Sequence, residues 1–384
     1  NELKIFESAL GQHNMITILN KSHNNTAISY NAITKKEGIA TNEILQQILS
    51  WQDEETNYYS IQQKDLYEGE EYYIRLSGTV KEGKQDPTQH ILDKIKKQFQ
   101  LLGVLCNVNQ GILSGIDKIT NKHIESKLID FKYKNHGVYV LNKNELNALG
   151  LSKEEKQIIK PFYKNSDIRK YFCHQKPSNF LIYATRDLDI KKYSNIYEHF
   201  KIFEKPIKAR SQDRGEMQAA LKLGKWWVIF AARNKEIFLS EKIICPQRSY
   251  ENNFSYNEVE WFASADVYFV TPKDISIELK YVLSLLNSKL YYIWLYFRGK
   301  RKGEMLELLY TPLTEIPIKK IAKIEQKPFI ALVDKILAIT KDDDYLTNST
   351  KQAKVKEYER QIDQMVYKLY GLTDEEIKIV EGQK

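Results

Sequence analysis

From about residue 103 to 275 the chain is written in short apolar runs broken by turns: "LGVLCNVNQGILSG", "HGVYVLN", "FLIYATR", "KWWVIFAAR", "KEIFLSEKIICP" and "VEWFASADVYFVT". They are rich in Val, Ile, Tyr, Phe and Trp, the residues that fit a pleated, half-buried surface, so each predicts a strand. Helical pieces are expected around 152–160 and 192–204, and one long apolar helix over 275–297. Near the C-terminus the period changes. Phe329, Leu332, Val333, Ile336 and Leu337 make one helical stripe, and Val355, Tyr358, Ile362, Met365 and Leu369 alternate spacings of three and four, the seam of a helix pair. Gly371 is a fitting stop for that helix. Thr373 with Glu376 spells a capping box for a last short one. The pattern predicts an α/β chain: a β-rich domain followed by a C-terminal, coiled-coil-like helical pair.

Upstream the signals are thinner. "NMITIL" (14–19) reads as a buried strand end, and "LTEIPI" (313–318) as extended because Pro317 opposes a helix. Residues 21–87 are connector-like, with one amphipathic helix, "TNEILQQILSW", capped by Thr41 or Asn42 and presenting Ile44, Leu45, Ile48 and Leu49 on one face. A second helix is expected over 88–101, with Gly103 ending it. The expected divisions are 1–20, 21–87, 88–320 and 321–384.

Several classes of chemistry are not written in this chain. No Pro-Pro pair is present, so the (N/D/S)-P-P-(Y/F/W) tetrapeptide that holds an adenine amine is missing. "GILSG" lacks the helix and acidic partner of a nucleotide-binding turn, and no P-loop occurs. "ELK" (278–280) and "EIK" (376–378) lack the Pro-Asp of a metal-dependent nuclease and fall on helical patterns. Cys106, Cys173 and Cys245 are far apart with no C-x-x-C, which argues against a disulfide framework or a cysteine zinc site and fits a reducing, cytoplasmic compartment. No apolar run reaches the ~20 residues of a membrane span. No leader pattern is seen, and Asn1 in place of Met fits a piece of a longer protein.

The net charge is +8, and residues 160–248 carry 19 Lys and Arg against 9 Asp and Glu, whereas 319–384 carry 13 against 12. A basic excess confined to one stretch favours a polyanionic partner. Three local features could use it. "NQGILSGIDK" sets Gly111, Ser114 and Gly115 in a tight loop before Lys118, where backbone can approach a phosphate; an ordinary hairpin turn explains it equally. "KPIKARSQDRGEMQAALKLGKWWVIFAAR" carries Lys208, Arg210, Arg214, Lys225 and Arg233 beside Trp226 and Trp227. In a strand one tryptophan must face inward and the other, taken as Trp227, outward; the plainer reading is a strand with a solvated basic face. "FYKNSDIRKY" offers Lys164 and Arg169, and "FRGKRKGE" offers Arg298 and Arg301, as phosphate clamps or solvated helix ends. Arg248, after "EKIICP", completes the candidates. Arg210 is the expected base reader, since it precedes a polar loop.

Taken in order, "LGVLCNVNQGILSGIDKI", "IIKPFYKNSDIRKY", "KPIKAR…GKWWVIFAAR", "EKIICP", "ADVYFV", "LLNSKLYYIWL", "LTEIPI" and "ERQIDQMVYKLYGLTDEEI" resemble the TaqI-like C-terminal specificity domain of gamma-class adenine-N6 DNA methyltransferases, found also in fused type IIG restriction-modification enzymes. The resemblance covers about 88–384, and "KIFESALGQHNMITILNK" resembles the closing strands of the family's methyltransferase domain. It implies a target-recognition domain that grips double-stranded DNA against an upstream methyltransferase domain or subunit, reads bases mainly in the major groove and helps present a flipped adenine. S-adenosylmethionine, and Mg2+ if a nuclease is fused, would then be bound by the parent enzyme rather than by this chain, which would be non-catalytic. The final helices resemble spacer helices. The competing readings are a protein-binding scaffold built on the C-terminal helices and a nuclease with an unrecognised site.

Overall fold

The computed structural model describes residues 3–5, 15–18, 26–34, 36–68, 73–74, 87–97, 99–210 and 215–382. Contacts divide the chain into two compact units, Asn1–Ile91 and Leu92–Lys384.

In the first unit, strands Ile28–Thr34 and Thr56–Gln62 form an antiparallel pair with Tyr30 opposite Ser60. The helix Asn42–Leu49 lies between them in sequence, and its N-cap is Thr41, whose hydroxyl accepts from the Ile44 amide at 3.3 Å. Of its apolar residues Ile48 is buried and Leu49 is exposed. The strand expected at 14–19 is not formed over 15–18, where Met15, Ile16 and Ile18 are exposed; residues 14 and 19 lie outside the described residues.

The helix expected over 88–101 is Pro87–Lys96. Gly103 does not end it. It sits in a separate turn of helix, Leu102–Leu105, where a Cβ would come within 2.8 Å of the Thr314 side chain.

The second unit is built on two four-stranded sheets. The central sheet runs Ser255–Asn257, Lys242–Pro246, Val267–Pro272, Cys106–Gln110, antiparallel throughout. Its two inner strands, "KIICP" and "VYFVTP", are almost wholly buried, which is why they read as continuous apolar runs, while the edge strand Cys106–Gln110 alternates. The second sheet runs Phe262–Ala263, Ile159–Tyr163, Asn179–Ile182, Val140–Asn142. The two share a core in which Trp261 stacks on Tyr163 at 4.5 Å and its indole N–H donates to the His174 carbonyl at 3.0 Å. The helix expected at 192–204 is Ser194–Ile202. The piece at 152–160 is a short 3-10 turn, Glu155–Ile158, leading directly into a strand.

The expected helix over 275–297 is two, Leu279–Leu286 and Lys289–Phe297. The break has a polar cause. Asn287 is fully buried, accepting from the Phe254 amide at 3.0 Å and donating to its carbonyl at 2.9 Å, and Ser288 caps the second helix. "LTEIPI" likewise splits: Tyr310–Thr314 is helical, and Pro317–Ile318 pairs with Gln100–Leu101.

The C-terminal helices are Lys323–Thr340, Ser349–Tyr370 and Asp374–Gly382. The stripe Phe329, Leu332, Val333, Ile336 and Leu337 is buried, Gly371 takes the left-handed C-cap at φ 63°, and Thr373 and Glu376 form the reciprocal cap. The seam of the long helix is different from expectation. Val355, Ile362, Val366 and Tyr370 are buried, while Tyr358, Met365 and Leu369 are half-buried. This helix packs on Lys289–Phe297 as well as on Lys323–Thr340, so its buried face follows a straight helix rather than a two-stranded coil.

That face also buries Asp363, 4% exposed, whose carboxylate accepts from the Lys289 amide at 2.9 Å. Burial raises its pKa to about 6, against the opposing pull of that amide and of Lys170 and Lys289, with Glu381 adding to the rise. The native state therefore holds this proton more tightly than the unfolded chain, where the group titrates near 4. Its contribution to stability is full below that pH and is lost as pH climbs through 6. Asp363→Asn keeps an acceptor for Lys289 and removes the buried charge. The substitution is expected to raise the melting temperature by roughly 2–4 °C at pH 7.5 and by clearly less at pH 4.5; equal shifts at both would show that the charge is not the cause.

Candidate nucleic-acid interface

One end of the central sheet organises the basic residues. There the strand Cys106–Gln110 ends opposite Tyr268, and Gly111 donates to the Val267 carbonyl at 2.9 Å. A Cβ on Gly111 would fall 2.6 Å from the Ala263 carbonyl oxygen and closer still to that of Ser264. The glycine does permit a close backbone approach, as its type suggests. The backbone it meets belongs to the protein. Ile112 then donates to Ala263 at 2.8 Å, and Leu113 and Ala231 exchange two bonds of 3.2 and 2.8 Å. Ser114 is buried, its hydroxyl donating to Asp117 at 2.5 Å. Gly115 is exposed at φ 86°, and Lys118 is exposed. Lys164 joins the loop through Asp117, 3.7 Å away.

Arg210 is not a base reader. It is 8% exposed, donating to the carbonyls of Ile207 (2.8 Å), Ser114 (2.8 Å), Trp226 (3.2 Å) and Val228 (3.0 Å), with its guanidinium over the Tyr139 ring. "KWWVIF" does not form the expected strand. Residues 225–230 run as an irregular segment held by these bonds and by Tyr139, whose hydroxyl donates to the Trp227 carbonyl at 2.8 Å. Both tryptophans are buried in consequence, so Trp227 cannot offer a ligand-facing ring. Lys208 pairs with Glu204 one turn back and lies over Trp226; Lys225 donates to the Arg186 carbonyl. Arg214 lies outside the described residues.

The remaining candidates stay exposed in two places. Arg233 reaches back to the start of the loop, donating from Nε to the Gly111 carbonyl at 3.1 Å and from Nη2 to Gln110 Oε1 at 2.9 Å. At the same sheet end, Pro246 pairs with Val267, and Gln247 links Asp266 to Leu308 through bonds of 2.7 and 2.8 Å. This attaches a three-stranded ribbon of Arg248–Ser249, Met305–Glu307 and Lys300–Lys302. Its outer strand exposes Lys300, Arg301 and Lys302. Arg301 stacks on Tyr296 at 4.1 Å, Arg248 pairs with Glu307 at 2.9 Å, and Arg298 precedes the ribbon. Arg169 is elsewhere. It lies on the hairpin beside the opposite edge strand, its guanidinium turned onto the carbonyls of Ser166 and Ile168.

Beside Arg233 opens a groove of about 860 Å³ whose lining adds Lys160, Arg186 and Lys235. The sequence reading passed over these. Lys235 stands two residues from Arg233 in "ARNK", but Lys160 and Arg186 reach the groove only through the second sheet and the turn after it. Among the described residues no group of three His, Cys, Asp or Glu side chains is placed to hold a metal ion, and no helix is long and apolar enough to cross a membrane.

Residues 160–318 match the family model of the TaqI-like C-terminal specificity domain. The match lies within the 88–384 over which the sequence resembles that family. The chain is similar to the type II methyltransferase M.HindII of Haemophilus influenzae, 23% identical over 233 residues, which cover 58% of this chain and 39% of that protein. It is 31% identical over 97 residues to M.HincII of Haemophilus influenzae, covering 24% and 18%. The chain thus spans well under half the length of either relative. Its fold is like that of the type IIL restriction-modification enzyme MmeI, solved in complex with DNA: TM-score 0.52, 14% identity, 84% of this chain and 38% of that one.

The geometry separates bracing residues from exposed ones by their cost of removal. Arg210→Met takes the charged donor from four buried carbonyls, of which Ser114 and Ile207 keep backbone donors, and is expected to cost about 2–4 kcal/mol in urea denaturation. Lys225→Ala, which breaks one exposed bond, is expected to cost under about 1 kcal/mol. Similar values for the two would mean that Arg210 does not brace this segment.

Proposed function

We propose that this chain is the DNA-recognition segment of a restriction-modification enzyme, in which it selects the target of an adenine-N6 methyltransferase. The observation that carries this reading is the specificity-domain match over 160–318, on which Arg233, Arg248, Arg298 and Arg301 occupy exposed positions and Lys164 a half-buried one. Residues 1–20 would close a methyltransferase domain, 21–87 connect it, 88–320 recognise DNA and 321–384 serve as a spacer. The partner is double-stranded DNA, approached from the sheet end where Lys118, Lys164 and Arg233 gather and where the ribbon exposes Arg301 and Lys302. For S-adenosylmethionine the sequence offers no recognisable donor-binding turn, and for Mg2+ no three His, Cys, Asp or Glu side chains among the described residues are placed to hold a metal ion. Those groups are assigned to the rest of the parent enzyme, and transfer or cleavage with them.

Phosphate contacts release counterions, so the logarithm of affinity should fall linearly with that of salt, by about 0.9 per phosphate engaged. Titrating a fluorescent duplex with the chain between about 50 and 200 mM salt is expected to give such a line. Replacing Arg301 and Lys302 together by Ala should weaken all sequences alike and flatten the slope by nearly two units. Absence of binding, or binding that ignores salt, would favour a scaffold, and methyl transfer or cleavage by the isolated chain would overturn the division of labour.

A further inference from the structure

Arg233 combines features that no other exposed arginine of the sheet end shares. Its backbone sits at φ 63°, in the left-handed region that L-residues seldom adopt, where it is held by the paired bonds between Ala231 and Leu113 two residues before. Its guanidinium is fixed along one side, Nε on the Gly111 carbonyl and Nη2 on Gln110. These bonds use two of the five hydrogens. The terminal fork, formed by Nη1 and the second Nη2 hydrogen, has no partner among the described residues. Arg210, by contrast, spends its donors on four carbonyls, and Arg248 is engaged by Glu307. The groove beside Arg233 is lined by Lys160, Arg186 and Lys235 against one acidic residue, Asp187.

We propose that Arg233 is a specificity-determining residue that reads a guanine, presenting its terminal fork to O6 and N7 in the major groove while the basic groove receives the adjoining phosphates. The inference rests on the DNA-recognition reading above. A planar fork matches the two acceptors on guanine, and no other base edge offers that pair. Holding the fork before DNA arrives removes the ordering cost that a loose arginine would meet on binding. The left-handed backbone is then the conformational cost of aiming the side chain.

The test selects binding sites from a randomised duplex library with the full chain, its Arg233→Gly variant and its Arg233→Lys variant. Glycine accepts the left-handed φ without strain, so this variant removes the guanidinium while relieving the backbone, and its melting temperature checks that the fold persists. Lysine keeps the charge without the fork. The wild-type chain is expected to enrich a site in which one G·C pair is preferred by about tenfold to a hundredfold. Both variants should enrich the same site with that one position degenerate, at an unchanged salt slope for glycine apart from the single charge. An undiminished guanine preference in Arg233→Gly overturns the assignment, as does a uniform loss at every position, which would make Arg233 a brace for the Gly111 loop. Either result leaves the DNA-recognition reading standing; failure of the wild-type chain to bind the library at all overturns both.

Discussion

The buried guanidinium of Arg210 is the interaction on which the shape of the basic surface depends. A charge taken out of water is tolerated only where its donors are satisfied, and here four carbonyls from three separate stretches converge on it. One is Ser114, in the loop after the edge strand; one is Ile207; two, Trp226 and Val228, lie in the irregular segment after helix Gly215–Lys222. Removing the guanidinium would take the charged donor from the Trp226 and Val228 carbonyls of that segment. The ring of Tyr139 beneath it and the hydroxyl on Trp227 complete the anchorage.

From this anchorage follows a division of the arginines into two kinds. Those with donors committed to backbone on every side, such as Arg210 with its four carbonyls, shape the surface; those committed on one side only, such as Arg233, are part of it. The same loop is gripped by both, Arg210 at Ser114 and Arg233 at Gly111. Its position is therefore fixed from inside and from the rim.

The C-terminal helices are tied into the same unit. Asn287 and Asn252 join the loop before strand Ser255–Asn257 to the break between two helices, and Asp363 caps the second of them. Thr340 donates to the Tyr171 carbonyl at 2.9 Å, so the helix Lys323–Thr340 is fastened to the hairpin that carries Arg169. Such polar ties across an apolar interface fix the register of the helices on the β-rich part, where apolar packing alone would leave sliding inexpensive.

Sequence by itself determined the elements whose signal is local. The C-terminal stripe, the stop at Gly371, the Thr373–Glu376 cap and the two inner strands of the central sheet follow from periodicity and turn chemistry within a few residues. The ordered motifs also sufficed to name the family found over 160–318. Tertiary structure alone decided which basic side chains face solvent. "KWWVIFAAR" has the composition of a strand with a solvated basic face, yet only Ala231 forms a bridge, with Leu113, and Arg210 takes up the Trp226 and Val228 carbonyls in place of a ladder. Arg210 and Arg233 are indistinguishable in the sequence, since each is a basic residue beside a polar turn. What separates them is the groups that each meets, Ser114 with Ile207, Trp226 and Val228 for Arg210 and Gly111 with Gln110 for Arg233, and those from Gln110–Ser114 are brought from about a hundred residues away by the folding of the central sheet.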